Sequence, residues 1–378
     1  MAGAGSMIGC CTLVSALAER GFTHASGVPC STFGGPIAHL TAAGRYRSAA
    51  NEGLALSDAA GAQLAGQGRA VFLQNSGLGN LINPLTSLVQ PYAMPVLALV
   101  SMRGWPNPHD DEPQHAVMGQ ATESILSDLG VWHSLLTAES LAPALDRAAK
   151  TVSSGRPAFL LLPYRSVGQH PGSVPAIRGT GPDTADVASA VAAASPPGTV
   201  IFGTTGYASR YLHHAGDRPR NFYMQGSMGH ASSLALGYAA ARPEEKVVVL
   251  DGDGAALMHL GILSTIGAER PANLVHVVID NGGYESTGAQ QGTSGTTDIA
   301  SIARACGYLA ASTVDTVESL QQQLAFAASS HGPHLIVVRA GRTLREAPQR
   351  AGASLPLPEI AERLRTRAPA PAWSASNA

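Results

Sequence analysis

The sequence is poor in charge, in aromatics and in cysteine. Only 13% of its 378 residues are charged, 5% are aromatic, and the net charge is −2. Its Lys and Arg residues are scattered rather than clustered, so no basic field draws in nucleic acid. The four cysteines, Cys10, Cys11, Cys30 and Cys306, form no CxxC pair and show neither zinc spacing nor a disulfide framework. Reduced cysteines in a cytoplasmic protein are the expectation. Long hydrophobic runs are also missing. The longest apolar stretch, around Pro95–Val100, is far too short to span a bilayer, and no membrane partner is expected. The N-terminal stretch has no basic residue ahead of its apolar positions. Met7, Ile8, Cys11, Val14 and Leu17 recur at helical spacing, which predicts an amphipathic helix over Ser6–Arg20 rather than a signal peptide.

Glycine (42) and proline (25) are plentiful, and 45% of residues are hydrophobic, the balance of a globular enzyme with many tight turns. The length exceeds one ordinary core and predicts two domains. Short apolar runs alternate with helical stretches: Thr23–Gly27, Ala70–Leu73, Val96–Ser101 and Phe159–Leu162, then Thr199–Phe202, Val247–Leu250, Val275–Ile279 and Leu335–Val338. This alternation predicts an α/β fold in which each half is a mostly parallel sheet with helices on both faces. The expected boundaries are a first domain over 1–168, a Pro/Gly/Ser-rich linker over 169–185, a second domain over 186–346 and a tail over 347–378. One tail helix is expected over Leu357–Arg367.

The most informative pattern lies in the second half. A buried strand from Lys246 ends in Asp251-Gly-Asp-Gly254, and a helix carrying Leu257, Leu260 and Leu263 is expected to follow. A second strand runs into Asp280-Asn-Gly-Gly283 and Tyr284. These residues suit a hard cation holding a diphosphate. Asp253 offers a carboxylate, Asn281 a neutral oxygen and Gly283 a backbone carbonyl. Gly252, Gly254 and Ala255 let backbone approach phosphate oxygens at the helix start. Thr204, Thr205 and Gly206, at another strand end, offer hydroxyl and backbone donors. A lone GDG after a strand is more often only a turn; the second polar strand end gives the pair its meaning. In the first half, Glu52 precedes an Ala-rich helix in Asn51-Glu-Gly-Leu-Ala-Leu-Ser-Asp-Ala-Ala-Gly61. On composition alone an acidic residue there is more often a helix cap or dipole partner.

Together these motifs resemble those of thiamine-diphosphate-dependent decarboxylases. The GDG with a following Asp280-Asn281 is similar to their metal motif, with Asp280 in place of the first of two Asn residues. The Glu52 segment resembles their N-E-G-x-A stretch. Further segments narrow the resemblance to the phosphonopyruvate decarboxylase family: Gly27-Val-Pro-Cys-Ser31, Gln74-Asn-Ser-Gly-Leu-Gly-Asn80, Asn83-Pro-Leu-Thr-Ser-Leu88, Arg103-Gly-Trp-Pro106, Asp111-Glu-Pro-Gln-His-Ala-Val-Met-Gly119 and Gly226-Ser-Met-Gly-His-Ala-Ser232. The resemblance runs from about Met7 to Arg345. It implies two successive thiamine-diphosphate-binding domains, with thiamine diphosphate and Mg²⁺ as cofactors. Asp253, Asn281 and Gly283 would hold the metal, and Glu52 would exchange a proton with the aminopyrimidine. Met228, beside Ser227, would wedge between the cofactor rings, and Tyr284 would line the same site. The implied reaction is loss of CO₂ from 3-phosphonopyruvate to give phosphonoacetaldehyde, in phosphonate natural-product biosynthesis. Arg103, Gln114, His115, Ser31 and Asn80 would contact this anionic 2-oxo acid, with His115 also a proton donor. A homodimer or higher oligomer is implied, with Glu52 and the metal site acting on one cofactor across an interface. Tyr284-Glu-Ser-Thr-Gly288 leans towards the sulfopyruvate relatives, so sulfopyruvate is the alternative substrate. A non-catalytic thiamine-diphosphate-binding subunit would be expected to lack Glu52 or the metal ligands. A nucleotide-binding oxidoreductase would need a G-x-G-x-x-G turn, and Gly77-Leu-Gly79 lacks its third glycine.

Overall fold

The structure, a computed structural model, describes residues 7–170, 180–343 and 345–365. The chain divides into two compact units. One comprises Met1–Ala176 with Thr287–Thr293, and the other Ile177–Ser286 with Ser294–Ala378. Most of the expected linker and the end of the tail lie outside the described residues. The tail helix is described over Leu357–Arg365, and the N-terminal helix covers Cys10–Ala18. A short segment of the second half, Thr287–Thr293, groups with the first unit, which the linear reading of two successive halves did not anticipate.

The first unit holds strands β1 (His24–Gly27), β2 (Tyr46–Ser48), β3 (Arg69–Gln74), β4 (Leu97–Met102), β5 (Trp132–Leu135) and β6 (Ala158–Pro163). They form one sheet in the order β2-β1-β3-β4-β6-β5, with every pair parallel. The second unit holds β7 (Val200–Gly203), β8 (Asn221–Tyr223), β9 (Val247–Gly252) and β10 (Leu274–Asp280). The two-residue strands β11 (Gly283–Tyr284) and β12 (Gln290–Gln291) come next in the chain, followed by β13 (Ala310–Val314) and β14 (His334–Arg339). The second sheet runs β13-β14-β10-β9-β7-β8, again all parallel. Read from β8, this is the strand order of the first sheet.

Parallel strands covered on both faces read as unbroken apolar runs, because both sets of alternating side chains enter a core. In β4, Leu97 and Leu99 face one cluster while Ala98, Val100 and Met102 face another. In β9, Val248 and Leu250 pack on one side and Val247 and Val249 on the other. The helix expected through Leu257, Leu260 and Leu263 is two pieces, Asp253–Met258 and Ile262–Glu269. His259 leaves helical geometry at φ −130°, and Gly261 caps the second piece. Six residues align few peptide dipoles, so the loop's own donors matter more at this strand end than a macrodipole. No helix among the described residues is long and apolar enough to cross a membrane.

Candidate active site

Glu52 is the first residue of the helix Glu52–Leu64, but it does not cap it. Asn51 does, its Oδ1 accepting from Leu54 N at 3.0 Å. Glu52 turns inward instead and is 5% exposed. Asn80 Nδ2 donates to its Oε2 at 2.7 Å. Gly77 makes the room: a Cβ there would stand 2.1 Å from Glu52 Oε1. Burial pushes the carboxyl above its usual range, and the Asn80 hydrogen bond opposes the rise. The Gln74–Asn80 loop after β3 thus builds a dry, one-donor socket for a single carboxyl. Asn80, expected against the substrate, is engaged with Glu52.

The neighbouring strand end carries Arg103, which is 7% exposed. Asn75 fixes its backbone, donating to Arg103 O at 2.9 Å and accepting from Arg103 N at 3.0 Å. The guanidinium closes on Asp111 through Nε (2.6 Å) and Nη2 (2.5 Å), and lies 4.2 Å from the Tyr164 ring centroid. Asp111 also accepts from Gly104 N at 2.8 Å. Burial raises the Asp111 carboxyl, but these bonds outweigh it and hold it below the usual range. Arg103, expected to meet the substrate anion, is held in a fork-to-fork pair with Asp111 through Nε and Nη2. Gly104 adopts φ +68°, and a Cβ on it would stand 2.3 Å from His115 O, which folds the Arg103–His115 loop tightly on itself.

His115 is 8% exposed, with Nε2 3.8 Å from Glu112 Oε2. Burial and then the Arg103 charge lower its pKa to about 4, against the pull of Asp111. That shift favours the neutral imidazole near pH 7, which keeps one N–H to donate. Gln114 donates to Glu112, and Ser31 is half-buried at the start of the turn Ser31–Phe33. Sequence reasoning missed Arg165, just beyond β6. It is exposed, holds φ +61°, and lies 4.9 Å from the Tyr164 ring centroid. Among the described residues it forms no ion pair. A left-handed arginine cannot be read from composition.

In the second unit, the loops after β7 and β9 flank the point where strand order reverses, the usual ligand crevice of an open parallel sheet. Asp253 is 4% exposed. Ser294 Oγ lies 2.7 Å from Asp253 Oδ2 and 2.7 Å from Asp280 Oδ1, bridging two carboxylates. Burial pushes Asp253 up, Ser294 pulls it back and Asp280 adds to the rise, leaving it at about 7. Asn281 Oδ1 accepts from Gly283 N at 3.2 Å, while its Nδ2 donates to Glu285 Oε2 at 3.1 Å. Thr204 is 2% exposed, and its Oγ1 has no hydrogen-bond partner among the described residues. Thr205 Oγ1 donates to Gln225 O at 2.9 Å, and Gly206 turns the chain at φ +89°. A Cβ on Gly254 would meet the Tyr284 ring at 2.8 Å and Met228 Cε at 3.3 Å, so Met228, Gly254 and Tyr284 share one corner. Ser227, next to Met228, holds φ +52°. Beside Gly252, by contrast, the space is open. Ala255 is buried in the first turn of Asp253–Met258.

These residues fit a diphosphate with a hard cation. Two carboxylates and an amide stand close together, with a buried unpartnered hydroxyl on the neighbouring strand end. No three His, Cys, Asp or Glu side chains converge among the described residues. That suits Mg²⁺, which takes one or two carboxylates and completes its shell with phosphate and water. Ser294 and Glu285 were missed. The only signal was Asp280, since a carboxylate beside a ligand needs a donor to hold it.

Residues 203–338 match the family model described as thiamine pyrophosphate enzyme, C-terminal TPP binding domain. Fold and family model together define the class as a thiamine-diphosphate-dependent enzyme. The chain is 38% identical over 350 residues to phosphonopyruvate decarboxylase of Streptomyces viridochromogenes, covering 87% of this chain and 88% of that one. It is 37% identical to the Streptomyces hygroscopicus enzyme of the same name, covering 87% of each. The chain belongs to the phosphonopyruvate decarboxylase family. Sulfopyruvate decarboxylase subunit beta of Methanocaldococcus jannaschii is 43% identical over 141 residues, which is 37% of this chain and 74% of that subunit.

Proposed function

We propose that this chain decarboxylates 3-phosphonopyruvate to phosphonoacetaldehyde and CO₂, with thiamine diphosphate held through Mg²⁺. The observation that carries the reading is the buried, singly hydrogen-bonded Glu52 in a chain that aligns along most of its length with phosphonopyruvate decarboxylases. The sulfopyruvate beta subunit aligns with 37% of it.

Asp253, Asn281 and the Gly283 carbonyl would hold Mg²⁺. Thr204, Thr205, Gly206, Ser227, Gly252, Gly254 and Ala255 would line the diphosphate, with Met228 and Tyr284 against the rings. When bound, thiamine diphosphate supplies the electron sink for the pair released as CO₂ leaves. Glu52, in its buried socket, would exchange a proton with the aminopyrimidine ring nitrogen, a task suited to a carboxyl of raised pKa. Asn80 fixes the Glu52 rotamer. His115, neutral near pH 7, hydrogen-bonds the substrate with Gln114 and Ser31. Arg103, its plane set by Asp111, offers Nη1. The free charge for the phosphonate comes from Arg165.

The test is CO₂ release from phosphonopyruvate, sulfopyruvate and pyruvate side by side, over a protein dilution series. Phosphonopyruvate is expected to be turned over fastest, with specific activity falling on dilution as a homodimer separates. A preference for sulfopyruvate, or full activity in a monomer, overturns the corresponding part.

A further inference from the structure

Glu285 lies just beyond the Asn281–Tyr284 turn, and the reaction as described does not use it. Its carboxylate accepts three hydrogen bonds within the second unit. Oε2 takes Asn281 Nδ2 at 3.1 Å and Thr184 Oγ1 at 3.1 Å, and Oε1 takes Thr343 N at 2.5 Å. All three partners act as donors, so Glu285 works here purely as an acceptor.

That matters for Asn281. An Asn amide has two ends of nearly equal size and opposite character, one donating and one accepting. A hard cation binds only the oxygen end. An acceptor-only neighbour captures the NH₂ end and leaves the oxygen facing the other way. The structure has this arrangement: Oδ1 meets Gly283 N at 3.2 Å and keeps a second lone pair. We infer that Glu285 is a positioning residue that fixes the amide rotamer of Asn281, so that its oxygen is the atom presented to the metal. The inference rests on the reading of Asn281 as a metal ligand.

Glu285→Gln tests it because the Thr343 N–H is a fixed donor. Glutamine must turn its carbonyl to that N–H, which puts its NH₂ against Asn281. Asn281 then turns over and points its own NH₂ at the cation position. The measurement is Mg²⁺ affinity of the full chain at fixed thiamine diphosphate, by calorimetry, with the thermal midpoint of the cofactor-free protein read in parallel. Affinity is expected to fall roughly 10–100-fold, the usual effect of losing a group that orients a ligand. In an Asn281→Asp background the sign reverses. Aspartate has no wrong end and is repelled by Glu285, so adding Glu285→Gln should tighten Mg²⁺ binding. Thr184→Val removes another partner of Glu285 without touching the amide. It should lower the thermal midpoint and leave Mg²⁺ affinity alone.

An equal loss from Glu285→Gln in both backgrounds, or an equal loss from Thr184→Val, would mean that Glu285 is only a structural tie, and the inference falls. If Asn281→Asp leaves Mg²⁺ affinity unchanged, the ligand reading itself fails and takes the inference with it.

Discussion

Glu52 and Asp253 are buried to nearly the same degree, 5% and 4% exposed, in two units with the same strand order. Glu52 follows the second strand of its sheet and Asp253 the third of its own. Burial is the largest cause of a raised pKa in both, yet their neighbours differ in kind. Glu52 has one amide donor, a glycine-lined gap and no second carboxylate bonded to it. Asp253 shares a serine hydroxyl with a second carboxylate, an excess of negative charge that calls for a cation. Desolvation alone does not assign a role to a buried carboxyl. What stands within hydrogen-bond distance does.

Substituting each carboxyl breaks this comparison most sharply. Glu52→Gln is expected to reduce CO₂ release on the order of 10²–10⁴-fold, the span of general acid–base catalysis, with thiamine diphosphate affinity nearly unchanged. Asp253→Asn should do the opposite in calorimetry. It should weaken Mg²⁺-dependent cofactor binding by more than about 100-fold, because a ligand should count for more than the groups that orient it. Equal effects of the two variants on cofactor affinity would erase the distinction.

A smaller effect separates the two arginines around Tyr164. A hydrogen bond to a charged group contributes about 1.5–3 kcal/mol, so Arg165→Met should raise KM for phosphonopyruvate roughly 10–100-fold without moving the thermal midpoint. Arg103→Met leaves the half-buried Asp111 without its ion-pair partner and should lower the midpoint as well. An unchanged KM in Arg165→Met removes Arg165 from the substrate.

The smallest effect is on stability. The Glu52 carboxyl is raised in the folded protein from its ordinary 4.5. Such a group contributes stability below its unfolded value and loses it as pH rises through the folded value. In cofactor-free protein, Glu52→Gln should therefore have a midpoint close to the parent's at acidic pH and an increasing advantage as pH rises above the ordinary carboxylate value. Scanning calorimetry at several pH values checks this. A gap independent of pH would mean that Glu52 titrates normally.

The legible and illegible parts of the fold divide by position in the sheets. Every strand expected from an apolar run is in a sheet interior: β1, β3, β4, β6, β7, β9, β10 and β14. The four longer strands that the runs did not reveal, β2, β5, β8 and β13, are the sheet edges. Trp132–Leu135 has no buried residue and Ala310–Val314 only one, so neither carries a continuous apolar signal. The motif residues Asp253, Asn281 and Glu52 stand out because their chemistry is tied to local spacing. The hydrogen bond from Asn80 to Glu52 joins two different loops, and the pair of Arg103 with Asp111 forms as one loop folds on itself; neither contact is written in the spacing.

The sequence by itself determined two parallel α/β units, since these follow from short-range pattern, and its motifs carried the resemblance to the family. Only the tertiary structure decided which charges are free. Among the described residues Arg165 stands beside Tyr164 without an ion pair, Ser294 bridges Asp253 and Asp280, and Glu285 holds Asn281. Pairing depends on how each loop folds at its strand end and on which loops the parallel crossovers bring together there, as with Ser294 and Asp253, and neither leaves a periodic trace in the sequence.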